Sequence, residues 1–141
     1  MNLKSGFHLA YCTNVHRGET WAQTFGTLEQ FTLRVRDRVA PGKPFAIGLR
    51  LGAQTARELS DRATLTAFQR WLERENCYVF TINGFPHGRF HGGRVKEQVY
   101  LPDWTSDERV AYTNLIFDLL AELVPPGVEG SVSTCLLYTS D

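Results

Sequence analysis

The chemistry in this chain is concentrated between Asn83 and Trp104, NGFPHGRFHGGRVKEQVYLPDW, which holds two of the four histidines. An imidazole moves between its neutral and protonated forms near neutral pH, so His91 is a candidate acid–base or substrate hydrogen-bonding group. His87, four residues earlier, is a candidate substrate contact. Two histidines at that spacing share one side of a helix, but Gly84, Pro86, Gly88, Gly92 and Gly93 argue against a helix here, so we do not read them as a metal pair. Lys96 could face a substrate oxyanion, although RVKE reads equally well as an ionic surface. Phe85 and Trp104 offer apolar faces. Asn83 either binds ligand or, before Gly84, makes a turn.

Further candidates lie where apolar runs end. Asn14 and His16 follow the first such run and Arg50 ends the second, where a buried guanidinium needs a partner or a ligand. The substrate-binding set is therefore Asn14, His16, Arg50, Asn83, Phe85, His87, Lys96 and Trp104, with His91 as the catalytic candidate. Ser133 and Thr134 end the fourth run. No Asp or Glu stands at any of these ends, so no carboxylate metal site can be assembled and we assign no metal ligand. No GxGxxG follows the first run and no GxxxxGK[ST] occurs anywhere, which counts against a nucleotide-binding sheet.

The positioning elements are set by periodicity. Phe7–Cys12, Phe45–Leu51, Cys77–Asn83 and Gly130–Thr134 read as strands. Thr20 and Gln23 make a capping box ahead of a helix whose apolar residues recur at Trp21, Phe25, Leu28, Phe31, Val35 and Val39, ending at Ala40–Pro44. A short helical turn is expected within residues 52–62. A helix over 61–76 directs Leu65, Phe68 and Leu72 inward and Arg70, Glu73 and Arg74 outward. Thr105 and Glu108 cap a helix over 106–124 with an apolar face at Tyr112, Leu115, Ile116, Leu119, Leu120 and Leu123. The third strand is apolar almost throughout, as in a parallel sheet covered on both faces. Alternation of this kind predicts parallel βαβ units. With no nucleotide fingerprint, we expect α/β architecture of the barrel kind, the N-terminal half of a (β/α)8 TIM barrel with about three and a half units.

The composition sets the class. The chain has 141 residues, 15 basic and 15 acidic, with 43% hydrophobic and 12% aromatic content, enough for one globular domain. A net charge of zero gives no footprint for nucleic acid or anionic lipid. The opening MNLKSGFHLAYCTNVH has no apolar signal region, and no apolar run approaches membrane-spanning length, so we expect no transmembrane segment and a cytoplasmic location. Cys12, Cys77 and Cys135 are odd in number and scattered, and are expected as reduced thiols, the first two buried at strand edges.

The stretches YCTNVHRGETW, FAIGLRLGAQTARELSD, YVFTINGFPHGRFHGGRVKEQVYLPDW and GVEGSVST together resemble the EboE family of metabolite-traffic proteins, whose fold is a xylose-isomerase-like TIM barrel. The resemblance covers residues 8–134 and the front portion of a family member. It implies a bacterial protein that binds a small metabolite and works with other products of one gene cluster in processing or exporting a precursor. It also implies kinship with sugar isomerases and epimerases, which use a divalent metal held mostly by later strands. No cofactor is expected in this fragment, and a divalent metal is implied only for a full-length protein. We therefore expect residues 1–134 to be a partial barrel domain, inactive as it stands. The closing CLLYTSD resembles a translated sequencing-adapter tail, and 135–141 are expected to be non-native.

Overall fold

Thr20 opens the first helical run as expected. Its Oγ1 accepts a hydrogen bond from Gln23 N–H at 3.2 Å, and the Gln23 carboxamide oxygen accepts one from Glu19 N–H at 2.9 Å. Backbone amides that a helix start would otherwise leave free are thereby satisfied. The computed structural model describes residues 1–3, 6–88 and 99–136, and continues from Thr20 as α1 (Trp21–Thr27), a π turn (Leu28–Thr32) and α2 (Leu33–Val39). In the π turn Leu33 N–H reaches back to the Leu28 carbonyl. The extra residue rotates everything after it by roughly 100°. This corrects the expected apolar face: Thr24, Leu28 and Thr32 form the buried stripe, while Phe31 and Val39 are 39% and 58% exposed.

The strands are β1 (Ala10–Cys12), β2 (Phe45–Arg50), β3 (Cys77–Asn83) and β4 (Ser131–Ser133). They form one sheet in the order β1-β2-β3-β4, each pair parallel. β1 is shorter than predicted because Phe7–Leu9 pair elsewhere. Gly6, at φ 79°, lets the chain turn so that Leu3 N–H donates to Phe7 C=O at 2.7 Å and Leu9 N–H to Met1 C=O at 2.8 Å. Cys12 is exposed at the end of β1, contrary to expectation, whereas Cys77 is buried.

Three further helices, α3 (Ala53–Leu59), α4 (Arg62–Arg74) and α5 (Asp107–Leu123), cover the sheet. Phe45, Ile47 and Leu49 of β2 join Val79 and Ile82 of β3 in one apolar cluster. Ala56 and Leu59 of α3, Leu65, Phe68, Trp71 and Leu72 of α4, and Tyr112, Ile116, Leu119, Leu120 and Leu123 of α5 complete it. Burial at this scale, at about 25 cal/mol per Å² of apolar surface, is the main force holding helices to sheet. The predicted inward faces of α4 and α5 are thus observed. The two-sided burial expected of β3 is not, since Tyr78, Phe80 and Thr81 are only half-buried.

In β3, Val79 and Ile82 both face the helices although three residues apart. A bulge explains this: Ile47 pairs with Val79, and the next residue, Gly48, pairs with Thr81. Phe80 is the extra residue, and its ring contacts His8, with centroids 5.4 Å apart. The open face carries small side chains at its centre. A Cβ on Gly48 would meet Ala10 Cβ and Thr81 Cγ2, each at 3.4 Å.

Asp61 caps α4, its carboxylate accepting from Thr64 N–H at 2.9 Å. The cap of α5 is Ser106, whose Oγ accepts from Glu108 N–H, one residue later than predicted. Thr105 is drawn away by Asp103, which accepts from its hydroxyl at 2.6 Å. Among the described residues no helix is long and apolar enough to cross a membrane.

Candidate functional site at the C-terminal strand ends

The sheet ends on one side with Arg50, Asn83 and Ser133 in register, so the segments leaving β2, β3 and β4 start together. Asn83 is the turn-former of its two alternatives. Its side-chain oxygen accepts from Phe85 N–H at 3.0 Å, and its carbonyl accepts from Leu51 N–H at 3.2 Å. Gly84 N–H then donates to Ser133 C=O at 2.8 Å, and a Cβ there would meet that carbonyl oxygen at 3.2 Å, so a side chain would push the two segments apart by a few tenths of an ångström.

Two buried arginines hold the segment that leaves β3. Arg50 is 7% exposed; its Nη2 donates to Gly88 C=O at 2.9 Å and Pro86 C=O at 3.3 Å, and its amide to Thr13 Oγ1 at 2.9 Å. Burial lowers its affinity for the proton, and nearby Glu19 and Tyr112 oppose that shift. Arg109 is fully buried, its Nε donating to Pro102 C=O at 2.7 Å and its Nη1 to Gly84 C=O at 3.3 Å. These bonds fix residues 84–88 at both ends. Sequence reading pointed to Arg50 and missed Arg109, which its helical spacing from Tyr112 and Ile116 could have flagged.

His87 is placed by this segment. Its carbonyl accepts from Ala53 N–H at 2.8 Å, and its ring stands edge-on to Tyr112 at 4.8 Å. Tyr112 is itself anchored, its hydroxyl donating to Leu51 C=O, and burial pushes its phenol up to about 12. The His87 Nε2 lies 3.6 Å from a Glu108 carboxylate oxygen, an ionic contact only if the ring is protonated. Desolvation dominates and lowers the imidazole below its usual value, with Glu108 opposing. The ring is therefore neutral at neutral pH, and the buried Nε2 has no hydrogen-bond partner among the described residues.

A chamber of about 160 Å³ opens beside this histidine, lined by Glu19, Gly52, Ala53, Gln54, Arg57, His87 and Gly88. At roughly 30 Å³ per water it holds about five waters, or one small polar group. It brings together residues of three chemical types, Glu19, His87 and Arg57. Glu19 and Arg57 escaped sequence reading because neither stands at a strand end. Glu19 is carried in by the β1–α1 connection, where its carbonyl accepts from Thr55 Oγ1 at 3.0 Å.

The other expected residues lie apart from the chamber. His16 hydrogen-bonds through Nε2 to the Tyr11 hydroxyl at 3.0 Å and stacks on Phe31, and burial lowers its pKa. Asn14 is half-buried, its Oδ1 without a hydrogen-bond partner among the described residues. Phe85 packs on Tyr100 at 5.5 Å, and Trp104 Nε1 donates to Cys135 C=O at 3.2 Å. His91 and Lys96 lie outside the described residues. A divalent metal finds no donor set here: among the described residues, no three His, Cys, Asp or Glu side chains converge.

No family model, no curated protein and no solved structure matches the chain.

Proposed function

We propose that the chain is the N-terminal part of a xylose-isomerase-like (β/α)8 barrel of the EboE metabolite-traffic type. In this reading it binds a small metabolite at the C-terminal strand ends and works with proteins of the same gene cluster in processing or exporting a precursor. What supports the barrel is strand order. A doubly wound sheet reverses its order at a switch point, where its ligand binds. Here four parallel strands succeed one another without reversal, under helices that share one apolar cluster.

The observation that carries ligand binding is the chamber at that edge, where Glu19, Arg57 and His87 meet. In parallel barrels the strand C-termini are where sites are built. Glu19, Arg57 and His87 line the chamber, while the His87 Nε2 itself is buried and faces Glu108. Arg50 and Arg109 fix the segment that presents His87. Asn83 makes the turn at this edge, while Asn14, His16, Phe85 and Trp104 stand apart from the chamber, and His91 and Lys96 remain candidates from the sequence.

A second reading, isomerase or epimerase chemistry, is favoured by Glu19 and His87, residue types that can move protons, lining one chamber.

The test is ligand-observed NMR with a panel of small polar metabolites on the wild type, His87→Gln and His91→Ala. At least one metabolite binds the wild type, and binding weakens tenfold or more in both variants while their circular dichroism is unchanged. Equal binding by the variants, or loss of folding in His91→Ala, overturns the assigned roles. Exchange of a substrate C–H for deuterium would select the isomerase reading.

A further inference from the structure

The two ring nitrogens of His87 have different surroundings. Nε2 is buried and lies 3.6 Å from a Glu108 carboxylate oxygen. Nδ1 is neither hydrogen-bonded nor among the buried atoms left without a partner, so among the described residues it is the open nitrogen of the ring. The ring itself is well placed. It stands edge-on to Tyr112, and the His87 carbonyl accepts from Ala53 N–H. Glu108 and Tyr112 are four residues apart on α5, about one helical turn, so both reach the same imidazole.

A separation of 3.6 Å is too long for a hydrogen bond. The sign of the charge still decides the tautomer. A carboxylate attracts an N–H and repels a lone pair, so the proton of the neutral ring belongs on Nε2 and the lone pair falls to Nδ1. The Glu108 side chain is 64% exposed and is not locked by packing; a movement of about half an ångström would close the hydrogen bond. Such bonds are often long in the unliganded state and tighten when ligand enters. The other charged groups around the ring keep it neutral. Arg109 of α5 and Arg57 of α3 oppose a positive imidazole, as does burial, and only Glu108 favours one. Arg50 of β2 holds the neighbouring carbonyls, Glu19 lines the chamber from the β1–α1 connection, and Tyr112 is an un-ionised phenol at neutral pH.

We propose that Glu108 is a positioning residue for His87, keeping the ring proton on Nε2 and so presenting Nδ1 to the chamber as a lone-pair base. The inference rests on the ligand-binding reading above and adds the polarity of the contact: the ligand group that meets His87 is a hydrogen-bond donor. Under the isomerase reading, Nδ1 takes a proton from a substrate carbon, the electron pair of the broken C–H bond stays on the substrate, and the imidazolium that forms is paired with Glu108.

Two measurements test it, neither needing a metabolite. The first is ¹⁵N NMR of the histidine rings across pH in the wild type, Glu108→Ala and Asp107→Ala, with His87 assigned by its loss in His87→Gln. Asp107 is exposed in the same first turn of α5, so its removal takes away a similar charge without touching the ring. In the wild type the neutral His87 ring carries its proton on Nε2. In Glu108→Ala the ratio of Nε2–H to Nδ1–H falls by about threefold or more and the ring titrates lower still, while Asp107→Ala leaves both near wild type. A wild-type proton on Nδ1, or a ratio that ignores Glu108, overturns the proposal. The second is alkylation by iodoacetamide, a molecule small enough for the chamber. His87 is modified at Nδ1 alone; modification at Nε2, or none, overturns the open nitrogen. If the tautomer fails to respond while metabolites still bind, the ligand-binding reading stands without this residue. If the tautomer responds and no metabolite binds, the pairing stands and the ligand-binding reading falls.

Discussion

Tyr112→Phe isolates one hydroxyl at the centre of the site. Tyr112 is 5% exposed, and its hydroxyl donates to the Leu51 carbonyl just beyond β2. Phenylalanine keeps the ring that packs against His87 and Arg109, so the change removes a donor and little else. Leaving a buried carbonyl unsatisfied costs about 1–3 kcal/mol. The titration of the phenol is a separate readout of its burial. Burial raises it from 10.0 to about 12, equivalent to ~3 kcal/mol between the protonated and ionised forms. Because the folded-state value is raised, the protonated phenol contributes fully below pH 10, and its contribution is lost as pH rises from 10 towards about 12. In urea, with a slope of about 2 kcal/mol per molar, the variant's midpoint falls by roughly 0.5–1.5 M at unchanged slope. Absorbance titration at alkaline pH shows Tyr112 and Tyr78, both raised by burial, ionising late, and the Tyr112 step is absent in Tyr112→Phe. A midpoint shift below about 0.2 M at constant slope, or no late step lost in Tyr112→Phe, would refute the reasoning.

Two other perturbations have defined signs. His87 and His16 both titrate below 6.5 when folded, chiefly through burial, so the unfolded chain binds more protons in that region. Stability therefore declines as pH falls from 6.5 and levels off below their folded values. His87→Gln flattens part of that slope, which urea midpoints measured between pH 7.5 and 5 will show; an unchanged slope would mean that His87 is solvated. At the glycines, Gly18→Ala forces a methyl to 3.0 Å from the Thr24 backbone and costs about 1–3 kcal/mol, while Gly26→Ala stabilises by about 0.5–1 kcal/mol. Thermal melts of the two variants should move in opposite directions, and a common direction would show that the β1–α1 connection is not packed as described.

Legibility from sequence divides along the range of the interactions involved. The capping box at Thr20, the inward stripe of α4 and the face of α5 were readable because each depends on residues within one or two helical turns. The parallel strand alternation was readable for the same reason. The π turn left no local mark, so the expected face was wrong at Phe31 and Val39, although Val35 does pack against the core. Ser106 and Thr105 are both competent caps, and Asp103 decided between them. The site was least legible. His87 and Arg50 were identifiable by type and position, but the chamber depends on Glu19, Arg57 and His87, whose sequence separations exceed any periodic signal. His16 stands apart from the chamber because Tyr11 and Phe31 hold its ring, and Cys12 is exposed because β1 ends in a turn.

The bulge in β3 has a consequence for how the strand tolerates changes in length. Up to Val79 the strand is addressed in one parity, and from Thr81 onward in the opposite one, with Phe80 as the phase shift between them. Removing any residue after Phe80 would exchange inside for outside over the remainder and carry Asn83 off its register with Arg50. Removing Phe80 itself would leave Thr81, Ile82 and Asn83 opposite Gly48, Leu49 and Arg50, the partners they already have. The strand thus carries one spare residue, and the alignment of the functional edge depends on which residue is lost more than on how many.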